Sequence, residues 1–382
     1  MDARVKNVLI VGAGPVGAVC ALALQQQGIS AQVLEAQPAD ARADSRTLAL
    51  SYGSRLILER LGVWNQIEQV TPITRIHISQ RGALGTARLS ADDAKVPALG
   101  YVLPYSALTA ALKQTLIDAK IEVEYGVAVD RVESESAQAT LQTSAGRLLS
   151  APFVVVADGG RSESAPHPRI SRDYDQVAIV CEVQTELPHA NQAFERFTPD
   201  GPAALLPKGD RYALVWTARP TDAQRIGELA DAEFLAALYQ HFGGRQGRFI
   251  SASARKTFPL KLAYTPSEVD ARIVRIGNAA QTLHPVAGQG FNIGLRDAWE
   301  LASLCGDTQH EALGSATMMA AFVRGRRVDV LGGVGFTDFL VRVFSNDHAP
   351  LRHARGLGLL ALDVFPPLKS FVARRMIFGA RG

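Results

Sequence analysis

The chain has 382 residues, 47% apolar and 20% charged, and its 40 basic against 37 acidic side chains leave a net charge of +3. It is too long for one ordinary domain, too apolar for global disorder, and too balanced for a nucleic-acid binder working through bulk charge. Cys20, Cys181 and Cys305 lie far apart with no CxxC pair or Cys/His cluster; they read as small core residues in a reducing compartment, not as a metal site or a disulfide framework.

The N-terminal apolar run is interrupted by glycines, with no secretory cleavage pattern after it. Val8-Leu9-Ile10-Val11 suits a buried parallel strand. Gly12, Gly14 and Gly17 follow at GxGxxG spacing, then a helix from Ala18 to Gln27 stopped by Gly28, then a second strand, Gln32-Val33-Leu34-Glu35. Residues 44–62 run from a polar loop into a helix ended by Gly62. Ser106 offers an N-cap for a helix through Ala119, with Leu108, Leu112 and Leu116 on one face. Residues 123–149 alternate as short strands, and Phe153-Val154-Val155-Val156-Ala157 is another buried strand, ending at Asp158-Gly159-Gly160. Pro166, His167 and Pro168 mark a surface loop.

From about 177 the pattern changes. Val177–Val180 and Tyr212–Trp216 are strand-like, separated by turns at Pro199–Pro202 and Lys208–Asp210, and one helix is expected near Asp231–Phe242. Arg272–Gly277 is again a strand, followed by a glycine-rich loop and a helix to about Cys305. The expected fold is therefore α/β: a Rossmann-like dinucleotide-binding domain interrupted by an antiparallel-sheet substrate domain. The expected boundaries are 1–175 with 263–340 for the first, 176–262 for the second, and a basic, apolar helical segment at 341–382. No run of about 18 uncharged apolar residues occurs, so no spanning helix is expected.

Glycine suits a tight turn and lets the backbone approach a pyrophosphate, while the helix start offers N–H groups and a positive dipole end. Glu35 ends the second strand, where a carboxylate can accept from both hydroxyls of a ribose. The motif alone leaves FAD and NAD both open. The late segment Gly277–Asn292 favours a flavin, whose ring extends past the pyrophosphate and needs backbone donors of its own.

DSRTLALSYGS (44–54), VVADGG (155–160) and GNAAQTLHPVAGQGFNIGLRD (277–297) resemble the class A flavin monooxygenases of ubiquinone biosynthesis, a para-hydroxybenzoate hydroxylase-like fold. Within them they are similar to the 2-polyprenyl-6-methoxyphenol hydroxylase branch, as are ITRIHISQRG (73–82), AFERFTPDGPAALLP (193–207) and GLGLLALDVFPPLKSF (356–371). The resemblance implies that Gly12, Gly14 and Gly17 cradle the FAD pyrophosphate, that Glu35 binds the adenosine ribose, and that Arg46 reaches the ribityl or pyrophosphate region. It places Asp158 and Gly159 near FAD, Asn278 at the ribityl–pyrophosphate junction, Pro285 over the flavin, and Gly288, Gln289, Gly290, Phe291 and Asn292 along its pyrimidine edge. Where the wider family has GDAAH, this chain has Asn278 and Gln281, and where its middle motif has Arg, this chain has Ala165, with Arg161 nearby.

The chemistry the resemblance implies is reduction of FAD by NAD(P)H, reaction with O2 to a C4a-hydroperoxide, and hydroxylation of a polyprenylated methoxyphenol ring. A sister hydroxylase acting at another ring position and a non-catalytic flavin-binding subunit of a biosynthetic complex are the alternatives. No catalytic base stands out. His284, beside Pro285, is the candidate proton relay, against a loop histidine bonded to backbone. Tyr212 and Trp216 read either as a prenyl channel or as sheet core. Residues 342–382 hold seven Arg/Lys and two Asp/Glu among apolar residues, which suits either peripheral contact with an anionic membrane from the cytoplasm, alongside other ubiquinone-biosynthesis proteins, or a helix folded on the body.

Overall fold

The computed structural model describes residues 7–41, 44, 46–82, 85–161, 170–264, 271–282, 289–344 and 349–379. A five-stranded parallel sheet runs in the order Ile273–Arg275, Phe153–Val156, Val8–Val11, Ala31–Glu35, Glu122–Tyr125. Successive side chains of a strand point to opposite faces, and both faces of this sheet are covered. Val8, Ile10, Val33, Phe153 and Val155 pack on the helices Pro15–Gln26 and Gln289–Gly306. Leu9, Val11, Leu34, Val154 and Val156 pack on an antiparallel meander, Val129–Ser134, Ala139–Thr143 and Leu148–Ala151. Both central strands are buried along their whole length, which is why they read as unbroken apolar runs. Each buried Val, Leu or Ile contributes about 1.5–3 kcal/mol.

The second sheet has nine strands. Its longest, Ile170–Thr185, pairs antiparallel with Arg211–Ala218, Phe249–Ala252 and Lys256–Tyr264. Beyond Arg211–Ala218 come Gly201–Lys208, Gln192–Thr198, Arg75–Gln80 and Thr86–Ser90. Gln192–Thr198 and Arg75–Gln80 pair in parallel, so two strands of this sheet come from the N-terminal third of the chain. One face carries Ile179, Leu205, Leu214 and Trp216 under the helices Pro220–Glu228 and Asp231–Phe242. The helix Asp231–Phe242 has the bounds its sequence pattern suggests.

Two local expectations change. A strand, Thr47–Ser51, precedes the helix Tyr52–Arg60 because it pairs with Gly100–Pro104, a partner some fifty residues away. The next helix spans Tyr105–Asp118 with Pro104 at its cap, two residues ahead of the expected Ser106. The expected loop at Pro166–Pro168 lies outside the described residues. The C-terminal part is helical: Ala316–Phe344, Ala349–Val364 and Pro366–Phe378. Among the described residues no single helix is long and apolar enough to cross a membrane. All three cysteines are buried and free, and burial pushes their thiols up, that of Cys305 to about 12.

Candidate active site

The glycine turn after Val8–Val11 divides its labour three ways. Gly12 has φ +101°, and a Cβ there would lie 2.7 Å from the carbonyl oxygen of Ala157, so the turn and the neighbouring strand end close on each other. A Cβ on Gly17 would lie 2.0 Å from the carbonyl oxygen of Gly12, which sets how closely the helix packs on the turn. Gly17 is not among the residues lining the cleft; it packs the helix on the turn and so shapes the cradle from behind. Gly14 is different, because a Cβ there would meet no atom within 4 Å. Its open side belongs to a cleft of about 1280 Å³. Gly14 also caps Pro15–Gln26 without a side-chain hydrogen bond, with Pro15 at the first position. The helix start therefore keeps N–H groups for an anion.

Glu35 is fixed from below. Its Oε2 accepts from the Ala13 amide at 2.6 Å and its Oε1 from the Gln37 amide at 2.9 Å. A carboxylate oxygen has two lone-pair sites, so each can still accept from a ribose hydroxyl. Open space at Gly14, uncapped amides and an anchored carboxylate are the donor and acceptor set of an adenine dinucleotide, and the residues present fit FAD.

Gly12, Gly14, Glu35, Arg46, Asp158, Gly159, Asn278, Gly290 and Phe291 all line this one cleft, although they lie up to 279 positions apart. Arg46 sits at 5.2 Å over the Tyr105 ring with its Nε 2.6 Å from Asp44. The Asp158 carboxylate accepts from the Gly160 amide at 2.9 Å. Asn278 stands in the short turn after Ile273–Arg275, and Arg161 also lines the cleft.

Two residues expected at the flavin edge through their backbone amides hold their side chains away from the cleft. Gln289 is buried at the start of Gln289–Gly306. The Asn292 side chain is buried too: its Oδ1 accepts from the Ser51 amide at 2.8 Å and the Ser54 hydroxyl at 2.7 Å, and its Nδ2 donates to the Ala49 carbonyl at 3.1 Å. It staples the helix to the strand Thr47–Ser51. Gln281 is likewise structural, accepting from Arg326 Nη2 at 3.1 Å. His284, Pro285, Gly288 and Ala165 lie outside the described residues.

The far end of the cleft is the second face of the nine-stranded sheet. Ala204, Leu206, Val215 and Thr217 line it, with Ile76 from the N-terminal edge strand and Met376 from the last helix. Tyr212 and Trp216 are sheet core: they pack against Phe194 and Phe234 on the other face. Sequence reasoning missed Glu195, the acidic side chain in this floor. Burial pushes its carboxyl up to about 7. Only the strand pairing could have signalled it, by placing position 195 in line with Ala204 and Ile78.

The FAD binding domain family matches residues 6–314. The ubiquinone hydroxylase UbiL of Rhodospirillum rubrum is 34% identical to this chain, over 97% of it and 89% of the relative. The 3-demethoxyubiquinol 3-hydroxylase of Escherichia coli is 31% identical, over 94% of each. Among solved structures, p-nitrophenol 4-monooxygenase PnpA from Pseudomonas putida superposes with a TM-score of 0.77 at 16% identity, covering 99% of both chains. Klebsiella pneumoniae HpxO, solved with FAD and uric acid, gives 0.74 at 17%, covering 100% of this chain and 99% of its own. These two establish likeness of fold.

Proposed function

The chain belongs to the FAD binding domain family, and from that premise we propose that it is an FAD-dependent aromatic monooxygenase of ubiquinone biosynthesis, drawing electrons from NAD(P)H and oxygen from O2. Its proposed reaction is hydroxylation of the ring of 2-polyprenyl-6-methoxyphenol. The observation that carries this reading is the continuity of the cleft, from the Gly14–Glu35 cradle to the apolar floor at Ala204, Leu206 and Val215. A dinucleotide cradle alone would fit many oxidoreductases; one opening onto an apolar sheet suits a flavin working on an apolar ring.

When bound, FAD supplies the redox and oxygen chemistry that no side chain carries. Gly14 and the amides after it hold the pyrophosphate, and Glu35 holds the ribose. Asn278, Gly290 and Phe291 flank the flavin end, and Arg46 and Arg161 offer cations to the phosphates. Ala204, Leu206 and Val215 keep water from the reacting ring and hold it in place. The division into residues 1–175 with 263–340 for FAD, 176–262 for substrate and a helical 341–382 is part of the reading, with Arg75–Gln80 and Thr86–Ser90 added to the substrate sheet.

A sister hydroxylase acting at another ring position is the second reading, favoured by the name of the Escherichia coli relative. A non-catalytic flavin-binding subunit is disfavoured by the intact cradle. Peripheral contact with a membrane is proposed through the bend between His353–Val364 and Pro366–Phe378, which turn 96° against each other. Leu357, Val364, Phe365 and Phe371 are exposed there, each at 59% or more.

The test is deletion of the gene followed by mass spectrometry of the lipid-soluble quinone precursors. Accumulated 2-polyprenyl-6-methoxyphenol, cleared by the intact gene and not by a Gly14→Val copy, supports the reading. A later, partly substituted precursor moves the chain to a sister step. Unchanged ubiquinone in a strain without a redundant hydroxylase rejects the pathway.

A further inference from the structure

We propose that Glu195 is the acid–base group of the cleft, its carboxylate accepting first the hydrogen bond and then the proton of the ring hydroxyl of a phenolic substrate. The proposal rests on the aromatic-hydroxylase reading above and deepens it.

Glu195 lies on Gln192–Thr198, the third strand from one edge of the sheet, in register with Ala204 on one side and Ile78 on the other. Its side of the strand also carries Ala193, which packs with Ile73 and Val102, and Phe197, which packs with Ala87 and Leu359. The surroundings are thus apolar, and the residue lines the cleft. Among the described residues its carboxylate has neither a hydrogen-bond donor nor a cation. A half-buried carboxylate in apolar surroundings with no partner costs stability, and an aliphatic side chain would fill the same place at no such cost. Residues that break a local folding rule concentrate where a ligand supplies what the fold leaves out.

The charged neighbours have other duties. Register puts His77 and Arg196 on the opposite face of the sheet, where Arg196 Nη1 lies 3.5 Å from the Ser79 hydroxyl. Lys208 shares the face of Glu195 but is held by Glu182. Arg88 and Lys369 are held by Asp363, and Arg355, in the helix over Phe197, is buried with a partner of its own. Arg46, paired with Asp44, and Arg161 belong to the cofactor stretch of the cleft.

In the proposed step the phenol O–H bond breaks, its electron pair stays on the ring oxygen, and the proton goes to a Glu195 oxygen. The pair carries one negative charge before and after, so no charge is added to a dry site. The electron pair left on the ring oxygen raises electron density at the ortho and para carbons. The upward displacement of the carboxyl strengthens it as a base toward a phenol.

The experiment uses the FAD-loaded protein in its oxidised state. It is titrated with 2-methoxyphenol and with 1,2-dimethoxybenzene, the same ring without the donor, and binding is followed by the change in the flavin absorption spectrum between pH 5.5 and 8.5. The wild type is expected to prefer the phenol by at least about tenfold at pH 8.5, the scale of a hydrogen bond to a charged group. That preference should shrink as pH falls through about 7, because a protonated carboxyl can donate to the ether. Glu195→Gln and Glu195→Leu should bring it within about twofold and make it independent of pH, with flavin content on both variants reporting folding. Variants that keep the wild-type preference and its pH dependence overturn the proposal and leave the aromatic reading standing. A wild-type spectrum that answers to neither compound rejects the aromatic reading and the role of Glu195 with it.

Discussion

Arg326 and Asp297 form a buried two-point ion pair, Nη2 to Oδ2 at 2.7 Å and Nε to Oδ1 at 3.2 Å, between the long helix Ala316–Phe344 and the helix whose start lines the cleft. Both side chains are at most 6% exposed. A second pair, Arg296 with Asp329 at 3.1 Å, joins the same two helices.

Removing one partner of such a pair leaves an uncompensated buried charge. Arg326→Leu should cost about 3–5 kcal/mol in urea unfolding, and Asp297→Asn with Arg326→Leu together should cost less than Arg326→Leu alone. Burial already holds the Asp297 carboxyl above its ordinary range, against the opposing pull of Arg326. Without Arg326 it rises further. A folded-state value above the unfolded one gives stability that is present at low pH and lost as pH rises through the folded value. The deficit of Arg326→Leu should therefore be smallest in acid and grow toward neutrality.

Gly14 and Gly17 stand three residues apart and should fail in different ways. A side chain at Gly14 meets open cleft, so Gly14→Val should leave the melting of the apoprotein nearly unchanged and weaken FAD binding at least about tenfold, by occupying the phosphate's place. A side chain at Gly17 strikes backbone, so Gly17→Ala should destabilise the apoprotein itself by about 1–3 kcal/mol. Thermal unfolding without FAD, paired with FAD titration, separates the two. Equal losses of apoprotein stability would contradict this division of labour.

Asn292 should behave as a staple. Asn292→Ala removes the acceptor of the Ser51 amide and the Ser54 hydroxyl, both buried. Each stranded donor costs about 1–3 kcal/mol. Chemical denaturation of the apoprotein should show a loss of about 2–4 kcal/mol. A loss confined to FAD affinity would contradict the staple.

The glycine turn and Glu35 were legible because Gly12, Ala13, Gly14, Gly17 and Glu35 lie within some 25 residues, where spacing encodes geometry; the close approach of Gly12 to Ala157 was not. The buried strands at Val8 and Phe153 were legible because coverage on both faces leaves no polar alternation. Glu195 was not. In AFERFTPDG it reads as one of two neighbouring opposite charges on a solvated strand, and only pairing with Arg75–Gln80, more than a hundred residues earlier, turns it into the cleft. The structural role of the Asn292 side chain was missed for a related reason: its partners are Ala49, Ser51 and Ser54, and nothing near position 292 announces them. Tyr212 and Trp216 alternate with Val215, yet which of the two sets faced the cleft depended on where the covering helices fell.

Glu195 also makes a prediction about stability that needs no ligand. Its folded-state value of about 7 lies above the ordinary 4.5. The contribution is therefore whole below about pH 4.5, and it is lost as pH rises through 7, as the carboxylate is forced to ionise in an apolar setting. The loss should be on the order of 2–3 kcal/mol by pH 9, less any relief from water in the cleft. Glu195→Gln cannot ionise and should be spared it. Melting curves of the two apoproteins should thus converge in acid and separate above neutrality, the variant melting higher. A wild type that loses no more stability than the variant between pH 5.5 and 9 would mean that the carboxylate finds a partner or water enough to be ionised at no cost.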